Sequence, residues 1–139
     1  MNEYRLGDLF IGMRAEFSRE ITEDMLRKFL EISGDQNPLH HDPAFAELMG
    51  FPNKVVFGML TASLLSTLGG CYLPGKFCLI QEVEAKFIKP VFVGDKLTVT
   101  GEISEIYEDL NRIVVKVLIF NQNRAKVLRG KLKVGMLHE

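Results

Sequence analysis

An α+β fold, one apolar helix enclosed by a curved antiparallel sheet, is predicted by three observations. Residues 55–75 carry no charged side chain. The chain after them alternates with period two in runs parted by turn residues, and the chain before them shows helix caps and three- and four-residue apolar spacing. With 139 residues, 47% hydrophobic and 25% charged, the chain has the composition of a globular protein and the length for one hydrophobic core. Residues 1–139 are therefore expected to form one domain.

A short strand is expected around Met13 to Arg19. Thr22 then caps a helix whose first turn carries Glu23 and Asp24, with Ile21 and Leu26 placed as a hydrophobic staple. Met25, Leu26, Phe29, Leu30 and Ile32 mark its buried face, and Gly34 is a suitable stop. Asp35 to Asp42 reads as a polar turn in which Pro38 pushes Asn37 out of the helical region. Asp42 followed by Pro43 starts a short second helix, which Gly50 ends.

The uncharged stretch from Val55 to Gly75 is long enough to raise a membrane span, but Gly58, Thr61, Ser63, Ser66, Thr67, Gly69, Gly70 and Pro74 interrupt it and no basic flank orients it. Roughly Gly58 to Leu68 remains as a helix with apolar or small residues on every face, which has to be covered on all sides. The covering comes from four runs: Ala85 and Phe87 up to Pro90, Leu97 to Ile103, Arg112 to Phe120, and Lys126 to Val134. Tight turns at Val93-Gly94-Asp95, Glu108 to Asn111 and Asn121 to Asn123 make consecutive runs antiparallel. A central apolar helix wrapped by such a sheet is the single-domain hot-dog arrangement.

Charge and composition exclude several function classes. The 17 basic and 18 acidic residues give a net charge of -1 and are interspersed, so no footprint for a nucleic acid backbone exists. Cys71 and Cys78 lack metal-type spacing and read as reduced thiols. The start MNEYRLGDLF has no apolar run behind a basic end, so the protein is expected in the cytoplasm. There is no GxGxxG, Walker loop, GxSxG elbow or CxxC, which removes redox, phosphoryl-transfer and serine-hydrolase readings.

Two of the three histidines fall in SGDQNPLHHD, the most polar turn beside the most apolar helix. A proline-stiffened bend through Asn37-Pro38 can turn Asp35 and His40 toward each other, and an imidazole with a carboxylate is what activation of one water requires. The same spacing also fits a self-satisfied Asx turn in which Asp35 and Asn37 bond nearby amides. Gly58 starts the apolar helix, where an unpartnered amide can polarise a carbonyl oxygen; it also fits a tight helix–sheet contact. Ser63 and Ser66 can offer a hydroxyl or bond back to the preceding turn. His41 and His138 read as solvent-facing, Asp42 as a helix cap, and no cluster fits a metal.

Phe29 to Ala46, FLEISGDQNPLHHDPAFA, closely resembles the signature of the MaoC-like (R)-specific enoyl-CoA hydratases. The likeness continues through GMLTASLLSTLGGCYLPGKF and KFIKPVFVGDKLTV and covers nearly the whole chain. The resemblance implies a hot-dog homodimer that adds water reversibly to a trans-2-enoyl-CoA, giving the (R)-3-hydroxyacyl-CoA without cofactor or metal. It places the catalytic pair on Asp35 and His40, with Asn37 in the turn between them, the oxyanion glycine on Gly58 and the positioning serine on Ser66. One departure stands out: such proteins typically read HGM where this chain reads Phe57-Gly58-Met59. Other hot-dog chemistries compatible with these residues are an acyl-CoA thioesterase and a catalytically lapsed acyl-CoA-binding subunit.

Overall fold

The computed structural model describes residues 1–138. Its elements run β1 (Arg14–Glu20), α1 (Glu23–Ser33), α2 (Pro43–Leu48), α3 (Gly58–Thr67), β2 (Cys78–Phe87), β3 (Lys96–Tyr107), β4 (Arg112–Phe120) and β5 (Lys126–Met136). The strands form one antiparallel sheet in the order β1-β3-β4-β5-β2. Strands β3, β4 and β5 form a meander, whereas β2 crosses over to pair with β5 and β1 closes the far edge on β3. This is the α+β hot-dog layer that the patterning predicts; four strands lie within a few residues of their expected runs, whereas β2 begins seven residues before Ala85 and ends at Phe87, three short of Pro90.

Alternation in the strands becomes burial on one face. Leu97, Val99 and Ile103 of β3, Ile113, Val115, Val117 and Ile119 of β4, and Leu128, Leu132 and Val134 of β5 are buried against α3, whose Leu64 and Leu65 join them, followed by Leu68. Each such side chain contributes about 1.5–3 kcal/mol on burial. Gly101 lets the sheet come close: a methyl there would stand 2.9 Å from Leu68 Cδ2. The Thr22 hydroxyl accepts from the Met25 amide at 3.3 Å, and α1 ends on Gly34 in the left-handed region, as the cap residues predict.

Two expectations fail. Ile32 does not join the buried face of α1; it is 83% exposed, bordering an open cavity of about 660 Å³ between α1, β1 and α3 that leaves it without close packing. The central helix is not covered on all sides either: Met59, Ser63 and Ser66 are exposed. One curved sheet plus α1 reaches only part way round a helix, and the uncovered side adjoins half-exposed Val83 and Phe87 on the edge strand β2.

Candidate active site

The polar turn, the loop after α2 and the start of α3 are tied together by backbone bonds. Val55 N–H donates to Leu39 at 3.0 Å, Val56 N–H to Val91 at 2.8 Å, and Ile88 N–H to Val127 at 2.9 Å. These fix the Pro38–His40 turn against the ends of β2 and β5. His40 Nδ1 lies 2.7 Å from the Val55 carbonyl. A carbonyl oxygen only accepts, so Nδ1 carries the hydrogen, and the neutral ring presents Nε2 as a lone pair. Buried Phe57 packs on the imidazole at 4.3 Å between ring centroids and 31° between planes, and Phe29 backs Phe57 at 4.9 Å.

His40 and Gly58 line one cavity of about 230 Å³, together with Thr61, Phe87 and the Lys89–Val91 segment. Gly58 and Met59 begin α3, so their N–H groups have no intrahelical acceptor and sit at the positive end of the helix dipole. A half-exposed Phe87 ring lies across Gly58: a methyl on that glycine would be 3.2 Å from Cε1. On its other side His40 borders a second cavity of about 380 Å³, which includes Lys54, ion-paired to Glu23.

The remaining predicted residues lie around this cavity rather than in it. Asp35 is exposed in the adjoining turn; its Oδ1 accepts from the Asn37 amide at 3.1 Å, and it lines neither of the cavities that His40 borders. Asn37 Oδ1 accepts from Leu39 N–H at 3.0 Å, capping the short turn that carries His40. Ser66 is exposed on the uncovered side of α3, two turns beyond Gly58. Ser63 makes the back-bond expected of a helical hydroxyl, to Leu60 at 2.6 Å. His41 is exposed and bonds the Gln36 carbonyl, while Asp42 caps α2 through the Ala44 and Phe45 amides. No cluster of potential metal ligands occurs among the described residues.

Thr61 and Phe87 were not singled out by sequence reasoning. The signal for Thr61 was a polar side chain three residues after the helix-opening glycine in an apolar run. The signal for Phe87 was its place in an edge strand just before Pro90.

With this arrangement in view, the comparisons with known proteins decide the family. The model of the MaoC-like domain matches residues 11–121. The chain belongs to the MaoC-like family. It is 38% identical to the (R)-specific enoyl-CoA hydratase of Aeromonas caviae over 92% of its own length and 96% of that protein's. The solved (R)-hydratase of A. caviae superposes with a TM-score of 0.88, covering 92% of this chain and 97% of that one. The unliganded R-hydratase of Pseudomonas aeruginosa superposes at 0.90 with 32% identity, covering 97% of this chain and 86% of that one.

Proposed function

We propose that this MaoC-like chain is an (R)-specific enoyl-CoA hydratase, a lyase that adds water reversibly across a trans-2-enoyl-CoA to give the (R)-3-hydroxyacyl-CoA. The observation that carries the reading is the cavity that His40 and Gly58 line together, an imidazole whose Nδ1 is held by Val55 beside the start of an apolar helix. An enoyl thioester is electrophilic at C3 only as far as its carbonyl oxygen is stabilised while enolate charge builds, and an amide donor there is worth about 10² to 10³ in rate. The Gly58 N–H supplies that donor. His40 Nε2 and the Asp35 carboxylate hold one water between them, take one proton from it as its oxygen bonds to C3, and return one proton to C2. The pair thus ends each turnover in the protonation state in which it began.

Asp35 and His40 are five residues apart on the turn capped by Asn37, and in this reading the exposed Asp35 carboxylate turns from the Asn37 amide toward the cavity that His40 lines when substrate binds. Asn37 and Ser66 act as positioning groups in this reading. The enzyme works as a homodimer: β2 is an open edge strand, and Val83 and Phe87, whose register partners Leu132 and Leu128 are buried, are about half exposed on its inner face beside the uncovered side of α3. Open edges and contiguous apolar surface are what proteins pair or cover. The acyl-CoA is substrate and no cofactor, metal or nucleic acid takes part. The working compartment is the cytoplasm, in keeping with free Cys71 and Cys78. No described helix is long and apolar enough to cross a membrane.

The test is crotonyl-CoA mixed with the purified protein. Loss of enoyl absorbance without release of CoA thiol, with (R)-3-hydroxybutyryl-CoA as product, is expected. Stoichiometric thiol release would mean attack at C1 and a thioesterase, and binding with no turnover would mean a lapsed subunit; either result overturns the assignment.

A further inference from the structure

We propose that Thr61 is a further substrate-touching residue, whose hydroxyl donates a hydrogen bond to the thioester oxygen beside the Gly58 amide. The inference rests on the hydratase reading of this site. Thr61 is 2% exposed, and its Oγ1 is a buried side-chain oxygen with no hydrogen-bond partner among the described residues. Native proteins rarely leave such an atom unmatched, and those that do tend to match it with a ligand, an ion or a water.

The usual partner is absent for a local reason. A threonine inside a helix ordinarily bonds back to the carbonyl four residues earlier. Here that carbonyl is Phe57's, which already accepts from Leu60 N–H at 3.1 Å and Thr61 N–H at 3.2 Å. The contrast lies on the same helix, where the Ser63 hydroxyl does bond back, to Leu60. Helical side chains lean toward the N-terminus, so Thr61 stands over the turn that opens with Gly58. It lines the cavity shared by Gly58 and His40. An unpartnered hydroxyl and an unpartnered amide therefore face the same small space, one turn of helix apart, and a thioester oxygen accepts two hydrogen bonds. The Phe87 ring that lies across Gly58 is half exposed on an edge strand, so the entering thioester displaces it and uncovers both donors.

Thr61→Val keeps the shape and removes the hydroxyl. Expected is a fall of about 10²-fold in kcat for crotonyl-CoA, with little change in KM, an unchanged or slightly raised Tm, and recovery to within about threefold in Thr61→Ser. A second readout follows the bond itself: the infrared stretch of the ¹³C-labelled thioester carbonyl of bound (R)-3-hydroxybutyryl-CoA should lie lower in the wild type than in Thr61→Val. Thr61→Ala is read in the same way should valine disturb the fold. Wild-type kcat and an unshifted carbonyl in the valine variant would overturn the inference and leave the hydroxyl to a resident water. A wild type that binds the ligand without hydrating crotonyl-CoA would overturn the hydratase reading instead, and the carbonyl shift would still judge Thr61.

Discussion

Gly58→Ala separates folding from catalysis, because the structure says what the added methyl meets. Gly58 is not among the glycines held at positive φ, so its backbone accepts alanine without strain. The new Cβ would stand 3.2 Å from Phe87 Cε1 and 3.4 Å from Cδ1 and Cζ. Those atoms belong to a ring 51% exposed to solvent, which can yield a few tenths of an ångström. Replacing glycine in a helix favours folding by up to about 1 kcal/mol, which offsets the crowding, and the melting temperature should stay within about 5 °C of the wild type. Activity should not survive as well. The methyl occupies the approach to the amide where the thioester oxygen has to sit, and a misplacement of about 1 Å costs roughly 10²-fold in rate. Thermal melts and crotonyl-CoA hydration on the same preparation measure both quantities. Full activity in a folded Gly58→Ala protein would refute the role of this amide, and a variant that unfolds would refute the account of its contact with Phe87.

Three further outcomes follow from the same geometry. His40→Ala and Asp35→Asn should each lower turnover by about 10² to 10⁴-fold with circular dichroism unchanged, and near-normal rates in the asparagine variant would leave Asp35 as a turn residue only. Val83→Lys places a charge on the half-exposed inner row of β2 and should convert a dimer into a monomer at micromolar concentration; sedimentation showing an intact dimer would rule out that edge as the interface. Burial pushes the Cys78 thiol up to about 11. A raised thiol pKa keeps the neutral form favoured until pH approaches the folded value, so at pH 8 alkylation by iodoacetamide should be about 10²-fold slower than for a free cysteine, accelerating between about pH 9 and 11. Fast alkylation of Cys78 at pH 8 in the folded protein would contradict its burial beside Gly69.

Local chemistry by itself determined most of the architecture. Thr22, Gly34, Asp42 and Pro43 set helix ends through bonds within a few residues, and period-two alternation selected which strand faces are buried, since both effects depend on near neighbours along the chain. The same locality made the Asp35–His40 turn and the helix start at Gly58 readable as candidate chemistry. What only the tertiary structure decided depends on distant segments meeting. Packing of Phe57 on His40, the bond from Nδ1 to Val55, and the lie of Phe87 across Gly58 arise because the ends of β2 and β5 are tied to the loop before α3. Periodicity could not reveal that an open cavity leaves Ile32 exposed or that one side of α3 stays bare, because helical spacing records which residues share a face but not how closely the opposing layer packs. The orphan hydroxyl of Thr61 is of the same kind: its sequence position is ordinary, and only the competition for the Phe57 carbonyl and the cavity beside it give the group a task.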